Sequence, residues 1–276
     1  VTGATGFIGR RVVEELLRRG EEVVIVTRDP AKVYSEARKL KVYEVDVAAG
    51  AACTYSEIGY PDSLIHLAWG ELDNYWCRAH YDEVLPAQYQ FLEKVVETGL
   101  PSLTVAGSCL EYGLCAGALQ ESMLASPSTP YAFAKDALRR QLEFLRNEFD
   151  FKCSWPRLFF VYGEDQGRDS LFSLLKKAAE RGDKTFYMSE GEQLRDFLHV
   201  DVVAKHIASI ATGGVEAGIV NVCSGKPVSV RRMVEYWIRE YDLTIEIELG
   251  YYPYRAHEHM AFWGDDTKLL GLVRDV

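Results

Sequence analysis

The sequence lacks any long apolar run, since no stretch of its 276 residues approaches the roughly 20 apolar residues of a membrane span. A basic region followed by an apolar core, the mark of a secretory signal, is also missing at the N-terminus. Positive charge is scarce: 31 Lys and Arg oppose 41 Asp and Glu, giving a net charge of −10. We therefore expect a cytoplasmic protein with no membrane partner and no nucleic-acid partner.

Cysteine is sparse and shows no paired spacing. The six cysteines include no C-x-x-C pair, so the pattern predicts neither a disulfide framework nor a zinc site. His257 and His259 lie two residues apart in an expected loop, and we predict no metal site in the chain. With 48% hydrophobic and 26% charged residues, the composition is ordinary for a globular protein of one large or two joined domains.

Short β-branched runs alternate with amphipathic stretches over the first two-thirds of the chain. They predict strands near residues 23–27, 41–47, 63–68, 102–108 and 153–162, with helices near 10–19, 86–98 and 131–149. Parallel strands need crossover helices, so the pattern predicts an α/β fold with a doubly wound parallel sheet. We expect a large domain over 1–163 and a smaller C-terminal α/β lobe, mainly for substrate, over 164–276. Because Val1 already lies in an expected strand, we expect a few preceding residues to be absent.

A glycine-rich turn, TGATGFIG over residues 2–9, stands between the first expected strand and the first helix. Gly3, Gly6 and Gly9 permit a tight turn and let backbone N–H groups approach a pyrophosphate at the helix N-terminus. The spacing is G-x-x-G-x-x-G rather than the commoner G-x-G-x-x-G, and a plain strand-to-helix connector is the alternative. In its strand and helix context, the turn predicts a Rossmann-type domain that binds NAD or NADP.

Two residues at expected strand ends bear on the choice of cofactor. Arg28 follows the second strand, where an acidic side chain would bind both ribose hydroxyls of NAD. A guanidinium matches a 2′-phosphate, so NADP(H) is favoured and NAD(H) stays possible; an arginine paired with Asp29 is the alternative. Asp46 ends the third strand, where its carboxylate could bond the adenine amino group or simply close a turn.

A tyrosine and a lysine lie four residues apart at the start of an expected helix, in the segment Tyr131-Ala132-Phe133-Ala134-Lys135. A neighbouring ammonium stabilises phenolate, so we expect Lys135 to lower the pKa of Tyr131 and make it a usable proton relay. Ser108 ends another expected strand at the carboxyl edge of the sheet, where its hydroxyl can donate to a carbonyl.

Together with HLA at 66–68, RDFLHV at 195–200 and the run from Arg255 to Lys268, these motifs resemble the extended short-chain dehydrogenase/reductase family. That family comprises NAD(P)-dependent epimerases, dehydratases and reductases of nucleotide sugars. The resemblance implies that Ser108 and Tyr131 bind the reacting oxygen and that Lys135 bonds the nicotinamide ribose. It implies a cofactor site formed by Gly3, Gly6, Phe7, Ile8, Gly9, Arg28, Asp46, Val47, Leu67, Ala68, Tyr131 and Lys135.

The resemblance also bears on substrate and assembly. It implies that Arg195 and Arg255 clamp the diphosphate of a nucleoside-diphosphate sugar, while Glu258 accepts a ribose or base hydrogen bond. Phe160 and Glu83 depart from the family, because asparagine is frequent at both places. A homodimer through the helices near 86–98 and 131–149 is expected.

The two residue types directly before Glu111 and Tyr112 indicate the branch of the family. The 4,6-dehydratases carry one or two acids at the places held here by Cys109 and Leu110, and Glu111 should face the other side of an extended backbone. With Arg28, this favours NADPH-dependent reduction of a nucleoside-diphosphate 4-keto-6-deoxyhexose, dTDP- or CDP-linked, with Tyr131 as general acid. The alternatives are an NAD-dependent nucleotide-sugar 4-epimerase and a non-catalytic dinucleotide sensor.

Overall fold

The computed structural model describes residues 1–33, 38–49, 53–167, 170–254 and 259–273. In these residues the strands are β1 Val23–Thr27, β2 Leu40–Glu44, β3 Leu64–His66, β4 Ser102–Val105, β5 Gly107–Ser108, β6 Gly117–Leu119, β7 Lys152–Leu158, β8 Phe160–Tyr162, β9 Thr185–Tyr187, β10 Leu194–Arg195, β11 Phe197–His199, β12 Gly218–Val222, β13 Val228–Ser229, β14 Glu246–Glu248 and β15 Phe262–Gly264. The α-helices are α1 Phe7–Arg18, α2 Leu85–Glu97, α3 Pro130–Leu145, α4 Leu171–Glu180, α5 Val200–Thr212, α6 Val230–Glu240 and α7 Thr267–Val273.

One parallel sheet organises the larger part of the molecule. Thr2 forms parallel bridges to Val26 of β1 and to His66 of β3, so the first residues of the chain lie between these strands. The order across the sheet is therefore β2, β1, Thr2, β3, β4, β7 and β12, with every neighbour parallel. The winding reverses on either side of Thr2, and ligands of such sheets bind beyond the carboxyl ends of the strands at this point.

Helices cover both faces of the sheet, as parallel strands require. On one face, α2 and α3 bury Phe91, Leu92, Leu138 and Leu142 against Leu103 of β4. On the other, apolar positions of α1 at helical spacing meet α5, α7 and β12 in a second core of which Val12, Val203, Ile207, Val220 and Leu269 are members. The predicted α/β class with a doubly wound parallel sheet is confirmed.

A smaller lobe is built from α4, α6 and the parallel pair β9 and β14. Its core is aromatic, with Phe172 and Trp237 ring to ring at 5.1 Å between centroids and Phe186 and Met233 packed beside them. The chain after residue 163 also gives α5 and β12 to the large domain, where β12 pairs with β7. The domain boundary at 163 stays a prediction. Within the described ranges, no helix combines the length and apolarity needed to cross a bilayer.

Candidate active site

In the glycine-rich turn at the start of α1, Gly3 and Gly9 leave no room for a side chain. Gly3 has a left-handed φ of +66°, and a Cβ there would lie 2.7 Å from the amide nitrogen of Ala68. A Cβ on Gly9 would lie 2.1 Å from the carbonyl oxygen of Gly3. Helix α1 starts at Phe7 with no acidic side chain in its first turn, so the N–H groups of that turn face outward for an anion. The turn therefore fits the pyrophosphate of a dinucleotide.

Thr2 ties this turn to the end of β3. Its hydroxyl oxygen accepts from the backbone N–H groups of Leu67 at 3.2 Å and Ala68 at 3.3 Å, and lies 3.0 Å from Nδ1 of His66. Because burial lowers the pKa of His66 to about 3, the ring is neutral and its Nδ1 accepts the threonine proton. Leu67 and Ala68 thus lie beside the glycine turn, and the sequence analysis missed Thr2 as the residue that holds them there.

Arg28 and Asp46, the residues predicted to bind the adenosine part of the dinucleotide, follow two neighbouring strands of the sheet. Arg28 follows β1 with its side chain exposed, and no described residue forms a hydrogen bond or ion pair with its guanidinium. Asp29 does not pair with it, since its carboxylate lies 3.2 Å from Lys32 and caps the following turn. Asp46 accepts from the Ala48 amide at 3.0 Å, which is the role of a turn residue.

Ser108, Tyr131 and Lys135 come together at the carboxyl edge of the sheet. Tyr131 lies in the first turn of α3, which Thr129 caps, and the Ser108 hydroxyl is near enough to stabilise its phenolate form. Lys135 lies one turn later; its ammonium donates to the carbonyl of Ala106 at 2.9 Å and lies 5.9 Å from the Tyr131 ring centroid. All three side chains are buried, at 8%, 8% and 3% exposed.

Burial dominates the protonation of this group. It raises the pKa of Tyr131 well above 10, with Tyr75 and Glu111 acting in the same direction and the Ser108 hydroxyl opposing them. Burial also lowers the pKa of Lys135 to about 7, against the attraction of Glu111. The expectation of a lowered pKa for Tyr131 was therefore wrong, because desolvation of the phenolate is the dominant influence on this group. A phenol that stays protonated at neutral pH can donate a proton.

Glu111 is a buried residue whose carboxylate accepts hydrogen bonds from the backbone and from two side chains. The segment Cys109–Tyr112 is a 3₁₀ turn rather than the extended backbone expected, and Glu111 caps it by accepting from the Ser108 amide at 2.7 Å. The same carboxylate accepts from the indole of Trp155 at 3.0 Å and from Nε of Arg157 at 2.8 Å. It is therefore directed towards β7, which explains why it offers no acid to a substrate.

Three ring-bearing side chains from the segment 69–84 contact the ring of Tyr131. Tyr75 stacks on its ring at 4.6 Å between centroids, and the Tyr131 amide donates to the Tyr75 carbonyl at 3.1 Å. Trp69 and His80 meet the same ring edge-on at 6.0 and 5.3 Å. Nothing in the sequence pattern indicated Tyr75 or His80 as neighbours of Tyr131.

A cleft of about 1370 Å³ opens between β8 and the smaller lobe, and Ser108, Tyr131 and Lys135 are not among the described residues that line it. Tyr75, Phe160 and Arg195 are among the residues that line it. Arg195 is buried; it donates to the carbonyls of His259 at 2.5 Å and Leu194 at 2.9 Å, and its guanidinium lies 4.9 Å from the Phe262 ring centroid. The two remaining substrate residues of the sequence analysis, Arg255 and Glu258, lie outside the described residues.

Asp196 is buried and accepts from the amide and hydroxyl of Ser224, both at 2.7 Å, so it holds the loop after β12. Over the ranges that the structure describes, no group of three or more His, Cys, Asp or Glu side chains could hold a metal ion. All six cysteines are free thiols.

Comparison with known proteins defines the class. The sequence profile of the NAD dependent epimerase/dehydratase family matches residues 1–223. The chain therefore belongs to this family, the extended short-chain dehydrogenase/reductases that act on nucleotide sugars with NAD-type cofactors, and it is an enzyme of that oxidoreductase type. The family assignment made from the motifs is confirmed.

Individual relatives agree with this class. The dTDP-6-deoxy-L-talose 4-dehydrogenase (NAD(+)) of Aggregatibacter actinomycetemcomitans is 32% identical over 266 residues, 96% of this chain and 98% of the relative. The UDP-glucuronate 4-epimerase of Thermodesulfobacterium geofontis is 27% identical over 99% of this chain and 89% of its own. MoeE5, solved with UDP-glucose and NAD, is 26% identical with a TM-score of 0.80 over 99% of this chain and 91% of its own.

Proposed function

We propose that this protein catalyses the reduction, with NADPH, of the 4-keto group of a nucleoside-diphosphate 4-keto-6-deoxyhexose linked to dTDP or CDP. The observation that carries the proposal is the buried set of Ser108, Tyr131 and Lys135 at the sheet edge next to the glycine turn. The relative named as a dTDP-6-deoxy-L-talose 4-dehydrogenase supports it. Oxidation of a 4-hydroxyl and reduction of a 4-ketone are the two directions of one reaction.

Each residue of the set has a distinct role in this proposal. The Ser108 hydroxyl donates a hydrogen bond to the ketone oxygen, and Tyr131 passes its proton to the same oxygen as negative charge develops there. Lys135 bonds the nicotinamide ribose and orients it. The dinucleotide supplies the hydride. The raised pKa of Tyr131 supports reduction, because this direction needs a protonated phenol at its start.

The cofactor is held, in this proposal, by Gly3, Gly6, Phe7, Ile8, Gly9, Arg28, Asp46, Val47, Leu67 and Ala68, together with Tyr131 and Lys135. The exposed Arg28 supports a preference for NADP(H), because its guanidinium faces no described partner. The relative named for NAD(+) keeps NAD(H) possible. Arg28→Ala should weaken NADPH binding by about 10- to 100-fold and leave NADH binding nearly unchanged, measured by titration calorimetry.

The cleft supports a 6-deoxy sugar. In the proposal Arg195 meets the diphosphate, with Arg255 and Glu258 contributing from the segment beyond Tyr254. A hexose between Arg195 and Ser108 would border Phe160, whose ring lies 5.6 Å from the Arg195 guanidinium and packs against the cluster that contains Cys109. An aromatic wall suits a C6 methyl and leaves a C6 hydroxyl without a partner.

A 4-epimerase that retains NAD is the second candidate, and the similarity to the UDP-glucuronate 4-epimerase favours it. The same serine, tyrosine and lysine could move a proton in both directions. The two candidates differ in the cofactor: an epimerase keeps its NAD bound through many turnovers. Mass spectrometry of the cofactor released from denatured protein distinguishes them, because only NADP carries a 2′-phosphate.

The decisive assay mixes purified protein with NADPH and dTDP-4-keto-6-deoxyglucose and follows the absorbance of the reduced nicotinamide. The proposal expects a steady loss of absorbance and a 4-hydroxyl product. The reverse assay offers dTDP-6-deoxy-L-talose with NADP⁺ or NAD⁺. No turnover with these sugars or with the CDP, GDP and UDP counterparts of the ketone would overturn the proposal.

We also propose a homodimer through α2 and α3. Phe133 and Phe144 of α3 are 52% and 72% exposed, and Tyr81 meets Phe133 edge-on at 6.3 Å beside them. Large apolar side chains exposed together on one face mark association surfaces. Light scattering should give twice the chain mass, and Phe144→Glu should shift it towards the monomer.

A cytoplasmic location is the last part of the proposal. Six free thiols, three of them buried, support a reducing compartment. Fractionation of the source cells with an antibody against the protein tests it.

A further inference from the structure

Two side chains outside the serine, tyrosine and lysine set surround the ammonium of Lys135. We propose that Trp69 and His80 are positioning residues: the indole face of Trp69 receives the Lys135 ammonium, and the His80 ring fixes the indole. The inference rests on the proposed function for the role of Lys135, but it concerns how this chain holds that ammonium in place.

The contact between Trp69 and Lys135 is a close cation–π interaction. The Lys135 nitrogen lies 3.8 Å from the indole centroid, much nearer than its 5.9 Å separation from the Tyr131 ring. Tryptophan is the strongest aromatic partner for a cation, and the attraction grows when water is excluded. Lys135 is 3% exposed, so the indole face supplies part of the stabilisation that water would otherwise give.

An ammonium has three N–H donors, and the structure accounts for two of them. One is directed to the Ala106 carbonyl at 2.9 Å, and a second has the indole face as its nearest surface. The third is left for a ligand. Because two fixed contacts on different elements determine where the nitrogen lies, the third donor has a defined direction, as a ribose hydroxyl requires.

His80 holds the indole through both of its ring nitrogens. Nδ1 accepts from the indole N–H of Trp69 at 3.2 Å, and Nε2 lies 3.0 Å from the carbonyl oxygen of Asn74. An indole N–H can only donate and a carbonyl can only accept, so the proton of His80 is on Nε2. His80 is fully buried, which leaves the ring little freedom to move.

The helix geometry explains why His80 can reach inward. His80–Val84 is a π-helical turn that runs directly into α2, and such turns are frequent at functional sites. Within this turn His80 faces the core, whereas Glu83 is exposed.

Other charges near Lys135 are few. Glu111, from the turn after β5, favours its charged form, and burial opposes this. His66 of β3 feels the ammonium in return and stays neutral. Tyr131 lies one helical turn earlier and is protonated. The indole thus joins Glu111 and the Ala106 carbonyl in favouring the charged form of Lys135 against its burial.

The test is the pH dependence of dinucleotide binding, which needs no sugar turnover. The dissociation constants of NADPH and NADH are measured by calorimetry from about pH 5 to about pH 9 for wild type, Trp69→Phe, Trp69→Leu, His80→Gln and His80→Leu. Affinity should fall as Lys135 loses its proton. Loss of the indole face should move that fall to lower pH by roughly one unit in Trp69→Leu and less in Trp69→Phe, which keeps a ring.

A matched control lies on the same segment. Trp76 is 71% exposed, and Trp76→Leu makes the same chemical change away from Lys135, so its pH profile should equal that of wild type. His80→Gln can still accept and donate, and should bind closer to wild type than His80→Leu. Circular dichroism confirms that each variant is folded.

An unchanged pH profile in folded Trp69→Leu would overturn the inference, as would an equal shift in Trp76→Leu. Dinucleotide binding is measured independently of the proposed reaction. A shifted pH profile of binding without any ketone reduction would support the role of Trp69 and contradict the proposed substrate. Turnover of the ketone with an unshifted pH profile of binding would support the proposed substrate and contradict the role of Trp69.

Discussion

Replacing Glu111 by glutamine should destabilise the protein strongly. The Glu111 carboxylate is fully buried and accepts from three donors, on Ser108, Trp155 and Arg157. A glutamine amide would turn an N–H group towards one of these donors. It would also leave the Arg157 guanidinium, which is 1% exposed, without a counter-charge.

The size of the effect follows from this burial. Breaking a buried ion pair from one side costs about 3–5 kcal/mol, because the remaining charge is not solvated. Glu111→Gln should therefore lower the free energy of unfolding by about 3–5 kcal/mol in urea titrations and the Tm by roughly 6–10 °C. The surface pair Arg231 and Glu235, joined at 2.8 Å with side chains 52% and 35% exposed, offers the control. Glu235→Gln should cost less than about 0.5 kcal/mol.

The outcome separates a structural role from a chemical one. If Glu111→Gln unfolded with the wild-type free energy and yet lost turnover, Glu111 would act on the substrate and the reasoning would be refuted. An equal loss of stability in Glu235→Gln would show that burial does not set the magnitude.

Tyr131→Phe should reduce ketone turnover by about 10²- to 10⁴-fold with NADPH affinity nearly unchanged, since only the proton donor is lost; wild-type turnover in stopped-flow assays would remove Tyr131 as the acid. Gly9→Ala should abolish dinucleotide binding in calorimetry, because its Cβ would lie 2.1 Å from the Gly3 carbonyl oxygen. Gly271→Ala is the control and should bind normally, because a Cβ there would have no atom within 4 Å. Equal affinities of the two variants would contradict the pyrophosphate site. Phe160→Asn should lower the preference for a 6-deoxy over a 6-hydroxy 4-ketohexose by roughly tenfold in kcat/KM, and an unchanged ratio would show that the aromatic wall does not select the sugar.

The local parts of this fold could be predicted from the sequence with close bounds. Strand β1 was expected at the residues where it lies, and α1, α2 and α3 were expected within a few residues of their ends. The periodicity of apolar residues indicates which side of each element is buried, and Gly3 and Gly9 mark a backbone that has no space for side chains. The four-residue spacing of Tyr131 and Lys135 places both side chains on one face of a single helix, so their proximity could also be predicted from the sequence.

Only the tertiary structure decided the properties that depend on distant parts of the chain. The pKa of Tyr131 is raised because Tyr75 and other distant residues exclude water from it, and no pattern around residue 131 records that burial. The sequence placed Glu111 on an extended backbone, whereas Ser108 and Glu111 form a local capping box on a 3₁₀ turn, and only the folded chain brings Trp155 and Arg157 of β7 to the same carboxylate. Local geometry is set by each segment's own residues, whereas desolvation and charge pairing are set by neighbours that only the folded chain brings together.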